Sequence, residues 1–242
     1  MKRIVIVGAT SGIGREVARQ LLRRGYRIGV AGRRETALQE LKAEAPQQVA
    51  CHKLDVTAND APARLLALVE ELGGMDIFLL SAGIGKQNAA LQPGIELATA
   101  ETNVLGFIRM VDTAYAYFRE KGGGHLAVIS SIAGTKGLGA APAYSATKRF
   151  QNTYIEALAQ LARMQRLNIH FTDIRPGFVD TDLLGDDKKY PLLMSPSKVA
   201  TSIIRAIERR KPVCTIDIRY RILVFFWRLI PRFLWERLPV KN

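Results

Sequence analysis

Cysteine and histidine are scarce in this chain of 242 residues, which has two cysteines and three histidines. Two thiols, Cys51 and Cys214, cannot build a disulfide framework or a four-thiolate zinc site, and they favour a reducing compartment. His52, His125 and His170 are far apart in the sequence, with no Cys or Glu at ligand spacing. We therefore expect no metal site.

Long apolar stretches are also missing. A membrane-spanning helix needs about 18 apolar residues, and the longest candidate, residues 222–227, is flanked by Arg221 and Arg228. The apolar start of the chain stops at Gly8, which is too early for the core of a signal peptide. Internal repeats and low-complexity linkers are absent as well. We expect a protein without a spanning helix, in the cytoplasm or peripheral at the inner face of a membrane.

Acidic residues are too few to balance the basic ones. The chain has 35 Lys and Arg against 22 Asp and Glu, a formal net charge of +13. This surplus favours an anionic partner such as a phosphorylated cofactor, a membrane surface or a nucleic acid. The basic residues are scattered or near the C-terminus, without a recognised nucleic-acid-binding motif, so we expect no nucleic acid partner.

Apolar patterning in the rest of the chain alternates between two periods. Short β-branched runs predict strands, and stretches with apolar residues on one stripe predict helices. Strict alternation of the two predicts a single α/β domain with a parallel, doubly wound sheet between layers of helices. The predicted strands are 4–7, 28–31, 49–56, 77–80, 126–129, 169–174 and 213–218, and the predicted helices are 13–24, 36–44, 61–72, 95–119, 143–166 and 197–209.

A glycine-rich turn follows the first predicted strand and leads into a helix. Glycine lets the chain turn sharply and approach a ligand closely, and the free N–H groups at a helix start suit a pyrophosphate. The spacing differs from G-x-G-x-x-G, and a tight turn without a ligand is the alternative. The residues of the turn are Gly8, Ala9, Thr10, Ser11, Gly12, Ile13 and Gly14.

The end of the second predicted strand indicates which dinucleotide would bind. An NAD site has an acidic residue there, for the 2′-hydroxyl of the adenosine ribose. This sequence has Arg33 and Arg34 instead, and arginine can clamp a 2′-phosphate with several donors. The pair predicts NADP(H) rather than NAD(H); the alternative is two surface charges that open a helix.

A candidate catalytic group combines a phenol, an amine and a hydroxyl. Tyr144 and Lys148 stand four residues apart and project from one face of a predicted helix. An ammonium near a phenol favours the phenolate and lowers its pKa, which suits a general acid or base. Ser131 closes the strand 126–129, where a hydroxyl can bond a substrate carbonyl oxygen.

With these residues the chain resembles the short-chain dehydrogenase/reductase family over roughly residues 2–218. Ser131 lies thirteen residues before Tyr144, which is the family spacing. Departures are Val7, where the family usually has Thr, and Leu80-Ser81, which replaces an asparagine pair. Further matches in chain order are Asp55 and Val56 beside the adenine, Ala82 and Gly83 after strand four, Asn103 in a helix, and Pro176, Gly177, Val179 and Thr181 facing the nicotinamide.

The resemblance implies a Rossmann-type sheet of seven parallel strands and a role for each catalytic residue. Tyr144 would transfer the proton, Lys148 would lower the pKa of Tyr144 and bond the nicotinamide ribose, and Ser131 would hold the substrate oxygen. Asn103 would help to place a water on a proton relay. Hydride would pass between the nicotinamide and a carbonyl or secondary alcohol carbon.

The same resemblance implies dimers or tetramers packed through two long helices. Ile155, Leu158 and Leu161 would suit either that interface or the core. The polar segment 178–197, in the domain 1–218, is expected to be a loop and could act as a lid over the substrate, or be a solvated connection.

The tail, residues 219–242, combines aromatic residues with arginines on both sides of Pro231. Such short amphipathic segments favour an anionic membrane surface; the alternative is a helix docked on its own subunit or its mate, over the cleft. Either arrangement suggests a lipophilic substrate. The preferred hypothesis is an NADP(H)-dependent oxidoreductase, and the rival is a non-catalytic NADP-binding sensor or membrane-associated scaffold. The tail residues in question are Phe225, Phe226, Trp227, Phe233, Trp235, Arg219, Arg221, Arg228, Arg232 and Arg237.

Overall fold

Seven strands alternate with the helices of the chain. A computed structural model describes residues 2–184 and 190–240. The strands are Arg3–Val7 (β1), Arg27–Gly32 (β2), Val49–Lys53 (β3), Ile77–Leu80 (β4), Gly124–Ile129 (β5), Ile169–Pro176 (β6) and Val213–Ile216 (β7). The helices are Gly12–Leu22 (α1), Glu35–Glu44 (α2), Ala61–Glu71 (α3), Pro93–Ala100 (α4), Phe107–Glu120 (α5), Pro142–Met164 (α6), Pro196–Glu208 (α7), Ile218–Leu229 (α8) and Arg232–Trp235 (α9).

All seven strands form one parallel sheet in the order β3-β2-β1-β4-β5-β6-β7. Val7, the last residue of β1, pairs with Ala31 of β2 on one side and with Leu80 of β4 on the other. The strand order therefore reverses beside β1, which opens a ligand crevice at the carboxyl edge of the sheet. The predicted doubly wound α/β fold with seven parallel strands is confirmed.

Each face of the sheet has its own apolar core, because side chains alternate along a strand. Ile4 and Ile6 of β1 join the core under α1, α2 and α7, whereas Val5 and Val7 join the core under α3, α5 and α6. Ile4 to Val7 of β1 form a continuous apolar run because helices cover both faces of this strand. Ile155 and Leu158 of α6 are buried in the second core, and Leu161 is exposed.

The predicted helix 95–119 is not continuous. A π-helical segment, Glu101–Gly106, separates α4 from α5. Gly106 packs closely on Val56: a Cβ on Gly106 would lie only 2.7 Å from Cγ2 of Val56. The side chain of Asn103 points to the loop after β4, where it bonds the main chain. Wide turns of this kind inside α-helices are frequent at functional sites.

Two predicted strands end earlier than expected. The main-chain N–H of Leu54 makes the last bond from the β3 segment to Gly32, at 2.9 Å, and the chain then turns. After β7, the carboxylate of Asp217 accepts from the N–H of Arg219 at 3.0 Å and begins α8. After β3 the N–H and the hydroxyl of Thr57 donate to the Asp55 carboxylate, at 3.0 and 2.8 Å. In both places a local bond to an aspartate side chain therefore replaces the ladder, so the strand cannot continue.

The tail folds into two short helices, as Pro231 predicts. α8 ends at Leu229, and Pro231 precedes the first residue of α9. Among residues 2–184 and 190–240, no helix combines the length and apolar character needed to cross a membrane. The five residues 185–189 of the predicted loop 178–197 lie outside the described part of the chain.

Candidate active site

The glycine turn is held close to the carboxyl end of β1. The N–H groups of Gly8 and Ala9 both donate to the carbonyl of Ala31, at 2.8 and 3.1 Å. Gly8 has φ +95°, and a Cβ on Gly14 would collide with the carbonyl oxygen of Gly8. The first turn of α1 is therefore pressed against the strand end. Thr10, Ser11 and Ile13 lie in residues 8–14, which we call the glycine cradle, and N–H groups at such a helix start can hold a phosphate.

The segment after β6 lies beside this turn. Thr181 Cγ2 is 3.3 Å from the position that a Cβ of Gly12 would take. Val179 is buried and pairs with Met194, while the Thr181 hydroxyl donates to the carbonyl of Val179 at 3.3 Å. Pro176 ends β6, and Gly177 packs against Tyr220. The predicted nicotinamide-facing segment and the glycine turn thus share one edge of the sheet.

Arg33 and Arg34 directly follow β2 and both are exposed. Arg34 Nε donates to the Thr10 hydroxyl at 3.4 Å, so this side chain reaches the glycine turn. Burial raises the pKa of Asp55, but hydrogen bonds from Thr57 and the charge of Arg33 outweigh it, so that the pKa falls below its ordinary value. Arg34 therefore lies beside the glycine turn, and Arg33 lies near Asp55.

Asn103 connects the π segment to the loop after β4. Its side-chain oxygen accepts from the N–H of Ile84 at 2.9 Å, and its amide donates to the carbonyl of Ile84 at 2.7 Å and to the Thr147 hydroxyl at 3.1 Å. Its main-chain carbonyl accepts from Gln151 at 2.9 Å. The role of Asn103 in placing a water stays a prediction; the structure gives its side chain and its main-chain carbonyl protein partners.

Lys148 is buried in the middle of the predicted catalytic group. Its ammonium donates to the carbonyl of Ile129 at 3.1 Å and to Gln151 Oε1 at 3.0 Å. A Cβ on Gly83 would stand 3.4 Å from Nζ, so the segment of Ala82 and Gly83 passes over the ammonium. Burial lowers the pKa of Lys148 to about 8, against a smaller opposing effect of the Asp173 carboxylate.

Tyr144 and Ser131 meet beside Lys148. The Lys148 ammonium is 5.7 Å from the centroid of the Tyr144 ring, and the Ser131 hydroxyl hydrogen-bonds the phenol. Ser131 also begins a 3-10 helix, Ile132–Thr135, by accepting from the N–H of Ala133 at 3.0 Å. The three groups that the sequence singles out therefore converge, from β5 and α6.

The electrostatic prediction for Tyr144 needs a correction. Burial raises its pKa, and the hydrogen bond from Ser131 only partly opposes this. Lys148 does not contribute to this shift, which differs from the prediction, and its ammonium bonds Ile129 and Gln151. A neutral phenol is the form that can donate a proton to a carbonyl oxygen.

Two residues of the site were missed in the sequence. Gly85 lies against the Tyr144 ring, where a Cβ would collide with Cδ2. Gln151 bonds both Lys148 and Asn103. Its position three residues after Lys148, on the same face of a predicted helix, is the signal that could have identified it.

The tail covers the two loops beyond Ser131 and β6. Trp227 donates its indole N–H to the Thr135 hydroxyl at 2.9 Å, and Trp235 donates to the carbonyl of Gly137 at 2.7 Å. Lys136 reaches back to the carbonyl of Ile230 at 2.7 Å. Tyr220 is buried, and its hydroxyl accepts from the N–H of Phe178 at 3.1 Å. One side of the tail is thus part of the site's outer wall.

Fold and site together define a nucleotide-binding α/β oxidoreductase. The family model for short chain dehydrogenase matches residues 2–190. An uncharacterized oxidoreductase of Mycobacterium tuberculosis is 31% identical over 98% of this chain and 94% of its own length. Another, of Myxococcus xanthus, is 38% identical over 78% of this chain and 77% of its own length. The chain belongs to the short-chain dehydrogenase/reductase family.

Solved structures have the same architecture. The closed form of serine dehydrogenase complexed with NADP⁺ superimposes with a TM-score of 0.80 at 23% identity, covering 88% of this chain and 94% of that chain. A variant of actinorhodin polyketide ketoreductase with NADPH superimposes with a TM-score of 0.77 at 25% identity, covering 89% of this chain and 95% of that chain. The first of these likenesses concerns the fold alone.

Proposed function

We propose that this protein is an NADP(H)-dependent oxidoreductase that interconverts a carbonyl and a secondary alcohol on a lipophilic substrate. The observation that carries the proposal is the convergence of Ser131, Tyr144 and Lys148 at the carboxyl edge of the sheet, beside a glycine cradle. A protein that only bound a nucleotide would have no need of this set.

The residues present fit a dinucleotide. Side chains at Gly8 and Gly14 would fill the cradle, because each Cβ would meet main-chain atoms. The turn around Ser11 would hold the phosphates, and Asp55 and Val56 would line the adenine side. The nicotinamide, when bound, supplies or accepts the hydride.

The preference for NADP(H) is supported by two positive charges where an NAD site has a carboxylate. Arg33 and Arg34 are exposed and unobstructed beside the cradle, and Arg34 bonds only weakly, to Thr10 at 3.4 Å and with Asp182 at 4.0 Å. A guanidinium can bond a 2′-phosphate with two parallel N–H groups, which is stronger than either contact.

In the reduction direction Tyr144 would donate its proton to the substrate oxygen. Ser131 would hold that oxygen and stabilise the charge that develops on it. Lys148, held by the Ile129 carbonyl and Gln151, would bond the nicotinamide ribose beside Tyr144. In the oxidation direction the same groups act in reverse, with Tyr144 as the base.

A lipophilic substrate is supported by the composition of the tail. Its inner side carries Tyr220 and Trp227 against the loops of the site, and its outer side exposes aromatic residues together with arginines. Phe225, Phe226 and Phe233 are 62%, 61% and 58% exposed.

Aromatic residues interspersed with arginines favour an anionic lipid surface. We propose such a surface as the partner of the tail, which would bring the mouth of the site close to the bilayer.

Tyr144→Phe tests the catalytic proposal. This substitution removes the proton-bearing hydroxyl and keeps the ring that packs on Gly85. Turnover of NADPH with a panel of apolar ketones should fall by at least about 10³-fold, within the range that general acids supply. NADPH affinity, measured by fluorescence titration, should change less than about threefold. Retained turnover would remove Tyr144 from its role, and binding of NADPH without turnover in the parent protein would favour the non-catalytic alternative.

A further inference from the structure

We infer that Gln151 is a positioning residue that fixes the ammonium of Lys148 and takes the place where a water was expected. Gln151 is 1% exposed and lies on α6, three residues after Lys148. Its Oε1 accepts from Lys148 Nζ at 3.0 Å, and its Nε2 donates to the main-chain carbonyl of Asn103 at 2.9 Å. One side-chain amide therefore bridges the two groups.

The bridge determines the direction of the ammonium. An ammonium has three N–H donors. Two of them go to fixed acceptors, the carbonyl of Ile129 and Gln151 Oε1. The third N–H then has one direction left. If the proposed function is right, on which this step rests, this third N–H would bond the nicotinamide ribose beside Tyr144.

The bridge also keeps Lys148 charged. Burial of an ammonium without acceptors is costly and favours the neutral amine. The pKa of Lys148 is already lowered to about 8, so the loss of one acceptor would bring neutralisation into the physiological range. The other titratable groups that face Lys148 are Asp173 of β6, whose charge raises the pKa, and Tyr144 of α6. The π segment and the loop after β4 contribute Asn103 and Gly83, which are uncharged.

An amide and a water act differently at this position. Water can accept a proton at one side and release another, whereas an amide at neutral pH keeps its two N–H protons and has an oxygen that only accepts. Gln151 therefore orients and stabilises rather than relays. It also ties the π segment to α6, because the Asn103 carbonyl is its second partner.

Two substitutions with opposite electrostatic effects test this role. Gln151→Leu removes the acceptor, and Gln151→Glu keeps the shape but adds a negative charge beside Lys148. The pKa of Lys148 is followed by NMR of the cofactor-free protein with ¹³Cε-labelled lysine, the resonance being assigned by its loss in Lys148→Arg. We expect a fall of about one unit in the Leu variant and a rise of about one unit in the Glu variant. The alkaline limb of kcat/KM against pH should move in the same directions.

Gln165→Leu is the matched control, because Gln165 directly follows the same helix and its Oε1 accepts from the Tyr115 hydroxyl at 3.0 Å. It should leave the pKa of Lys148 unchanged. A merely structural Gln151 would give no opposite shifts, so an unchanged pKa in the folded Glu variant would overturn the inference even if the Leu variant failed to fold. The NMR titration needs no turnover. If the protein had no reductase activity, opposite shifts in the pKa of Lys148 would therefore still support the positioning role of Gln151 and would leave only the proposed function refuted.

Discussion

The indole N–H of Trp227 donates to the hydroxyl of Thr135 at 2.9 Å, four residues beyond Ser131. On the same helix, α8, the hydroxyl of Tyr220 accepts from the N–H of Phe178, two residues beyond the end of β6. α8 therefore contacts the loop after β5 and the loop after β6 at once. The tail is attached to both walls of the site, and its opposite side is free to meet another surface.

The outward aromatic residues of the tail should carry binding to anionic membranes. Exchanging Phe225, Phe226 and Phe233 for serine removes much of the exposed apolar area and leaves the Trp227 and Tyr220 contacts intact. We expect affinity for vesicles that contain phosphatidylserine to fall at least tenfold, because burying each aromatic side chain in lipid contributes on the order of 1 kcal/mol or more. Vesicle co-sedimentation measures this directly.

Leu97→Ser is a suitable control for this prediction, since Leu97 of α4 is 69% exposed but lies outside the tail. Binding of the parent protein should also weaken as salt rises, because arginines contribute through a screened attraction. Equal binding to neutral and anionic vesicles would exclude an electrostatic contribution of the arginines to membrane binding. Dimerisation through the tail without any lipid binding would exclude a membrane surface as its partner.

Arg33→Asp should shift cofactor preference toward NADH. The substitution removes a cation that would hold a 2′-phosphate and introduces a carboxylate that repels it and can accept from a ribose hydroxyl. We expect the ratio of kcat/KM for NADPH over NADH to fall by at least about 100-fold, which corresponds to roughly 3 kcal/mol for one charge-assisted contact replaced by repulsion.

The comparison with Arg23→Asp separates this effect from overall charge. Arg23 directly follows α1, and among residues 2–184 and 190–240 its side chain makes only a long ion pair with Glu16, at 3.9 Å. Its substitution alters net charge equally and leaves the cradle untouched. Its cofactor ratio should stay close to that of the parent protein. A parent protein that already prefers NADH would contradict the assignment of the 2′-phosphate to Arg33.

Much of the fold was predictable because the sheet is buried on both faces. β1 and β4 are short, almost wholly apolar runs, and the sequence placed them within one residue. The ends of β3 and β7 were not predictable, since Asp55 and Asp217 accept local bonds there that apolar patterning does not record. The break at Glu101–Gly106 was not predictable either, and within it Gly106 packs on Val56, a tertiary contact that apolar patterning does not record.

The candidate site was predictable only as a set of residue types at known spacing. Ser131 and Lys148 converge as the spacing implies, because β5 and α6 fix their directions. The electrostatics were not predictable, since the pKa of Tyr144 depends on how deeply its phenol is buried. The bonds of Gln151 were hidden for a similar reason: they join α6 to a π segment that the sequence pattern did not reveal.

A buried histidine should make the stability of the protein depend on pH below neutrality. His125 of β5 is 6% exposed, and its Nε2 lies 2.8 Å from the Thr172 hydroxyl. Burial lowers its pKa to about 4, helped by the charges of His170, Arg210 and Lys2. Above the unfolded pKa of about 6.5 the ring is neutral in both states, and its contribution is complete. As pH falls from about 6.5 toward 4, His125 binds a proton in the unfolded chain but not in the folded protein, so the free energy of unfolding decreases.

A shift of this size corresponds to a loss of at most about 3 kcal/mol between pH 6.5 and 4. His125→Gln removes the titrating group and keeps an amide that can reach Thr172, so urea unfolding of this variant should lose correspondingly less stability over the same range. His52→Gln, at a side chain that is 28% exposed and pairs with Glu71, should retain the full loss. Parallel stability curves for the parent protein and His125→Gln would mean that His125 is protonated in the folded state, and that its burial does not exclude the charge.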